Sequence, residues 1–140
     1  DQPLNVEYVF IADRVGVVPF RSMIQRLLSR SEQSTARLLY AARQESDLLY
    51  RDEWQAWERR DPRFSFRPIL EPHNPGRLSG SDGYGVEKSL LPHIEQHYVQ
   101  NDTRRDRQFY ICGIGRPILL LRDLLRGAGY ERKAVKYEKW

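Results

Sequence analysis

At 140 residues the chain has the size of one ordinary domain, long enough to bury a core but too short for two domains of equal size. Charged residues make up 30% of it and leave a net charge of only +4, with both signs interleaved. That pattern describes a solvated surface and excludes the one-sided basic field that nucleic-acid binding requires. The single cysteine cannot close an internal disulfide, and His73, His93 and His97 have no cysteine near them at zinc spacing. No metal site is expected, and a cytoplasmic or other reducing compartment fits. No apolar run approaches the ~20 residues of a membrane span, and no leader-like segment opens the chain.

The first apolar run, Val6 to Ala12, is β-branched and aromatic, which suits a strand buried on both faces of a parallel sheet. A loop carrying Gly16 follows. Pro19 opens a helix whose Phe20, Met23, Ile24, Leu27 and Leu28 recur at helical spacing, ending near Ser29. The alternation then repeats. Ala36 to Ala42 reads as a strand, Asp47 to Arg60 as a helix, and Phe64 to Leu70 as a strand that Pro68 assigns to a sheet edge. Glu71 to Gly85, rich in Gly, Pro, Ser and Asp, forms a long loop before a helix over Val86 to Val99. Gln108 to Cys112 is a short strand, Ile118 to Leu125 a helix closed by Gly127 and Gly129, and Lys133 to Glu138 a last strand. Five strands alternating with helices predict an α/β fold, a doubly wound parallel sheet in a single domain spanning residues 1–140.

Ligands of such sheets bind beyond the carboxyl ends of the strands, where the strand order reverses. The residues there are Asp13 to Val18, Arg43, the loop from Glu71, Gly113 to Arg116, and Glu138 to Trp140. Three of these places carry segments with a known counterpart. Arg14-Val15-Gly16-Val17-Val18-Pro19-Phe20-Arg21-Ser22 resembles a G-T-G-I-A-P-F-R-S segment. Leu38 to Arg43, followed by Asp47-Leu48-Leu49-Tyr50-Arg51-Asp52-Glu53, is similar to L-x-Y-G-x-R…D-x-L-Y-x-[DE]-E. Tyr110-Ile111-Cys112-Gly113 and the closing Tyr137-Glu138-Lys139-Trp140 look like a Y-x-C-G motif and its terminal strand. All three belong, in this order, to the ferredoxin-NADP reductase family, and the resemblance covers essentially the whole chain.

The resemblance implies a Rossmann-like module that binds NAD(P)H and presents its nicotinamide to FAD on another domain for hydride transfer. A loop entering a helix offers free backbone N–H groups and the positive end of the helix dipole, so a pyrophosphate would sit over Arg14, Val15, Gly16, Val17 and Pro19. The remaining cofactor contacts implied are Arg43, Glu71, Tyr84, Gly113, Ile114 and Trp140, the last stacking on the flavin. Cys112 would lie beside the nicotinamide and Glu138 would supply the family's carboxylate there, the two catalytic positions. Where NADP-specific members carry S-R, this chain has Leu70-Glu71. Glu71 would repel a 2′-phosphate and suit a ribose diol, while Arg77, Lys88 and Tyr84 could compensate from the loop. The family's flavin sits on an amino-terminal β-barrel that nothing before Asp1 provides, so the FAD-binding domain is expected as a fused or separate partner. Beyond it, a ferredoxin- or flavodoxin-like carrier would take the electrons.

Two departures leave alternatives open. The family has a glycine where this chain has Arg14 and a threonine where it has Val15. Either Arg14 pairs with a phosphate and the module works, or the loop no longer closes on a dinucleotide and the fold serves protein interaction or regulation. Single residues carry the same tension. Cys112 reads as a core thiol or as a nicotinamide neighbour, and Trp140 as a core cap or a flavin platform. Trp54 and Trp57 read as core or as a partner surface. Arg21 reads as a solvated first-turn side chain.

Overall fold

The computed structural model describes residues 6–30, 33–70, 84–113 and 116–139. In chain order the elements are β1 (Glu7–Asp13), α1 (Val18–Ser29), β2 (Thr35–Ala42), α2 (Arg51–Arg60), β3 (Phe64–Leu70), α3 (Tyr84–Glu95), β4 (Gln108–Gly113), α4 (Arg116–Gly127) and β5 (Val135–Lys139). The five strands form one parallel sheet in the order β3-β2-β1-β4-β5. This is the doubly wound α/β sheet that the alternation of apolar runs predicts, and β3 lies at an edge, as Pro68 requires.

Alternation of side chains along the strands splits the core into two layers. On one face Val9, Ile11, Leu39 and Phe109 meet Leu90 and Ile94 of α3 and Ile118 and Leu121 of α4. On the other, Phe10, Leu38, Tyr40 and Phe64 meet Phe20 and Ile24 of α1 and Trp54 and Trp57 of α2. The two tryptophans are therefore core residues: their rings stand edge to face at 5.1 Å, and each reaches Phe64.

Several boundaries differ from the sequence reading, α4 running from Arg116 to Gly127 rather than from Ile118 to Leu125, and three of them have a local cause. α2 begins at Arg51 rather than Asp47, because Glu45–Asp47 makes a tight 3₁₀ turn and Tyr50 adopts a left-handed backbone (φ 60). The backbone groups of Leu49 are taken by side chains instead of a helix: its N–H donates to the Tyr40 hydroxyl at 3.0 Å, and its carbonyl accepts from Trp54 Nε1 at 2.8 Å. α3 opens at Tyr84, contains Pro92 and runs into a wider π-helical turn over Gln96–Gln100, which seats Tyr98 in the core. β5 starts at Val135, after a 3₁₀ turn at Arg132–Ala134.

The amino-terminal edge of the sheet is closed by charge. Arg107, 5% exposed, is ion-paired to Glu7 and Asp102 and donates to the Tyr130 hydroxyl at 3.0 Å; that hydroxyl in turn donates to the Tyr98 carbonyl. Burial opposes the guanidinium charge, but the hydrogen bonds to Asp102, Tyr130 and Glu7 outweigh it and raise its pKa.

Candidate functional site

The strand order reverses between β1 and β4, so the crevice of this sheet opens between Asp13 and Gly113, the last residues of those strands. From Asp13 the chain makes a 3₁₀ turn over Arg14–Val17 and enters α1, with Pro19 in its first turn. No side chain caps the start of α1, and no acid stands in its first turn, which leaves the positive end of its dipole facing the crevice. Val17 is buried beneath the turn, whereas Val15 and Val18 are exposed.

Gly16 lies directly on the end of β4. A Cβ there would stand 2.3 Å from the Cys112 carbonyl oxygen and 2.9 Å from the Gly113 Cα. The close approach that demands glycine at this position is thus to the protein's own backbone. Gly113 answers a second one: a Cβ on it would meet Ile118 at 2.8 Å and the Asp13 Cβ at 3.0 Å, so glycine lets α4 close onto the tip of β1.

Arg14 adopts a left-handed backbone (φ 56), a conformation that costs a non-glycine residue about 1–2 kcal/mol. This is the position where the resembling family has glycine, and the geometry supplies the reason. Tyr40 compensates: from the end of β2 its buried hydroxyl donates to the Arg14 carbonyl at 2.7 Å. Burial pushes the Tyr40 pKa up, so the phenol stays protonated and able to donate. The Arg14 guanidinium stands 3.7 Å from the carboxylate of Asp13; the Asp13 side chain is 1% exposed and that of Arg14 31%. The tip of β1 therefore carries both signs of charge.

Beyond β2, Arg43 is exposed, and an open hollow of about 620 Å³ lies between Glu45, Ser46, Leu48 and the start of α2. Arg21, expected as a solvated side chain, is 41% exposed and also makes a two-pronged bond to Glu53 with both contacts at 2.7 Å, and its guanidinium lies 5.1 Å from the Tyr50 ring centre. The Glu53 hydrogen bond raises the Arg21 pKa and lowers that of Glu53. In this way α1 and α2 are tied together by residues of the first two sequence segments.

At the other side of the crevice Cys112 and Glu138 are register partners on β4 and β5. With Pro19, Phe20 and Tyr137 they border a pocket of about 210 Å³, for which Cys112, 1% exposed, is floor rather than wall. Burial, and secondarily the charge of Glu138, pushes the thiol up to about 11. It is a small neutral group at neutral pH, not a nucleophile.

Of the sequence-derived positions, the structure gathers Arg14, Val15, Gly16, Val17, Pro19, Cys112, Gly113 and Glu138 at one edge of the sheet, and Arg43 follows β2 along the same edge. Tyr84 opens α3. Glu71, Ile114 and Trp140 lie outside the described residues. Sequence reasoning placed Asp13 at the crevice and Tyr40 in the second segment but gave neither a role of its own. Tyr40 had one visible signal, a polar-tipped ring inside an otherwise apolar strand.

The sequence model of the family described as "Oxidoreductase NAD-binding domain" matches residues 10–120. Ferredoxin–NADP reductase B of Sorangium cellulosum is 32% identical over 133 residues, which are 94% of this chain and 53% of that protein. NADH-cytochrome b5 reductase 2 of Mycosarcoma maydis is 26% identical over 104 residues, 74% of this chain and 28% of that protein. Among solved structures, the ferredoxin-NADP+ reductase of Plasmodium falciparum superposes with a TM-score of 0.76 at 18% identity, covering 96% of this chain and 53% of that one. The enzyme of Neisseria gonorrhoeae with bound FAD and NADP gives 0.70 at 23%, covering 96% and 56%. The chain thus spans about half the length of the first of these curated relatives. It belongs to the oxidoreductase NAD-binding domain family and is similar to ferredoxin-NADP reductases.

Proposed function

We propose that this chain binds NAD(P)H across the crevice between Asp13 and Gly113 and presents the nicotinamide to FAD held on another domain, fused or separate. The observation that carries this reading is a convergence at one sheet edge: the uncapped start of α1, Gly16 seated on β4, and the pocket over Cys112 and Glu138. The residues present fit the group. Backbone N–H groups of the Arg14–Val17 turn leading into α1 would hold the pyrophosphate, since the Val18 N–H already donates to the Val15 carbonyl and Pro19 has none, and the Arg14 side chain is free enough of burial to turn toward it. Cys112 would give the ring a small, uncharged floor, and Glu138 would place a carboxylate beside it. Bound there, the reduced nicotinamide supplies a pair of electrons. A whole reductase built on this module would pass electrons from the flavin to a ferredoxin- or flavodoxin-like carrier in a reducing compartment such as the cytoplasm. Among the described residues no helix is long and apolar enough to cross a membrane.

A second reading has its own observation. The buried Asp13 carboxylate sits at the tip of β1, where an anionic pyrophosphate would lie, and Arg14 occupies a left-handed position at a cost glycine avoids. A domain that had given up nucleotide for protein interaction or regulation would tolerate both. Isothermal titration with NADH and NADPH at moderate salt separates the two. Submillimolar binding of either supports the module; silence at millimolar nucleotide from a folded sample refutes it. On the second reading, Arg14→Gly with Val15→Thr creates binding that the wild type lacks.

A further inference from the structure

We propose that Tyr40 is a positioning residue for the dinucleotide: its hydroxyl locks the Arg14–Val17 turn to the loop before α2 and so aims the turn's backbone at the ligand. This rests on the reading that the chain binds a dinucleotide at the tip of β1. Tyr40 is fully buried and is the register partner of Ala12 on β1 and Pro68 on β3, so its ring has no freedom to wander. The phenolic oxygen donates to the Arg14 carbonyl at 2.7 Å and accepts from the Leu49 N–H at 3.0 Å, two segments separated by the whole of α1 and β2. Leu49 is itself held from the other side by Trp54 Nε1 at 2.8 Å.

A trans peptide is planar, with its C=O and N–H opposed. Fixing the Arg14 carbonyl on buried Tyr40 therefore turns the Val15 N–H away from the core, toward the side on which the ligand would lie. It also holds Arg14 at φ 56, which an arginine would otherwise leave for a right-handed or extended backbone. In a chain with glycine at position 14 this restraint would be of little consequence. With arginine there, the hydroxyl is what keeps the turn in shape.

The test uses the full chain in four forms: wild type, Tyr40→Phe, Arg14→Gly and the double variant, each titrated with NADH and NADPH. Phenylalanine keeps the ring and deletes only the two hydrogen bonds. Tyr40→Phe is expected to weaken nucleotide binding by between about twofold and tenfold. In the Arg14→Gly background the same change should cost no more than half that factor, because glycine adopts the left-handed backbone unaided. A role confined to stability would lower the melting temperature in both backgrounds without this difference in affinity. Wild-type affinity in Tyr40→Phe, or equal losses in the two backgrounds, overturns the inference while leaving the parent reading standing. No binding by the wild type overturns the parent reading and this one with it. Should Tyr40→Phe not fold, hydrogen exchange of the Leu49 amide in the wild type decides: saturating NADH slows it if the lock serves the ligand, and an unchanged rate refutes the proposal.

Discussion

Replacing Gly16 with alanine tests the site at its tightest point. The added methyl would stand 2.3 Å from the Cys112 carbonyl oxygen and 2.6 Å from its carbon, both backbone atoms of a central strand that no rotamer change can move aside. Contact at the usual limit requires the Arg14–Val17 turn to retreat by roughly 0.7 Å, and this turn has little room, since Val17 is buried and Arg14 is tied to Tyr40. Overpacking of this kind costs about 1–3 kcal/mol, which for a domain of this size lowers the melting temperature by roughly 3–10 °C. Gly127→Ala is the control: nothing lies within 4 Å of its Cβ position at the end of α4. It should stabilise by about 0.5–1 kcal/mol through a less flexible unfolded chain. Circular dichroism melts of both variants, paired with nucleotide titration of Gly16→Ala, check the contrast. A Gly16→Ala protein that melts with the wild type and binds nucleotide as well would refute the claim that the turn rests on β4.

Other perturbations reach different parts of the molecule. Arg107→Ala leaves Glu7 and Asp102 without their buried partner and should cost about 2–3 kcal/mol in urea unfolding, the exposed flanks of both acids keeping the figure at the low end; a loss below 0.5 kcal/mol contradicts the network. Cys112, with its thiol pushed from 9.0 to about 11, should react with iodoacetamide at pH 7.5 at least about a hundredfold more slowly than a free cysteine and speed up as pH rises toward 11, so prompt labelling of the folded protein would count against a buried, neutral thiol. His93 is held down to about 4 by burial first, then by His97 on its own helical segment, Arg67 on β3 and Arg37 on β2. Between pH 6.5 and 4 the unfolded chain binds a proton there that the folded one refuses, so stability falls as pH falls through that window, and His93→Gln should flatten the slope of unfolding free energy against pH.

The architecture was legible because it rests on periodicity. Runs such as Val6 to Ala12, nearly all apolar and rich in β-branched and aromatic residues, suit central parallel strands, and Pro68 marks an edge wherever the strand lies in the chain. The start of α2 was not legible, since it depends on Tyr40 and Trp54 capturing the backbone of Leu49 from distant positions. The same limit hid the Arg21 pair: side chains 32 residues apart show complementary charge in a sequence only after the fold has set α1 beside α2. For the site, the segments named the loop, but Gly16 is needed for contact with β4 and Arg14 is left-handed, and neither follows from local pattern.

The two edges of the sheet are built on opposite principles, and that contrast bears on function. Near the amino ends of β1 and β4, Arg107, Glu7, Asp102, Tyr130 and Tyr98 satisfy one another, and the Arg105 guanidinium donates to the Ala128 and Asp102 carbonyls. At the carboxyl ends, Val15 and Val18 follow β1, Leu49 and Tyr50 follow β2, and Leu70 ends β3, all large apolar side chains left at least 38% exposed. Scattered exposed apolar residues need no account, but a row following three adjacent strands does. Among the described residues the two non-glycines with a left-handed backbone, Arg14 and Tyr50, both fall in the same row. Strain and apolar exposure both lower stability and are retained where a surface is kept for binding. The closed edge holds the sheet in register, so the open edge can carry an exposed turn whose geometry is set by one buried hydroxyl.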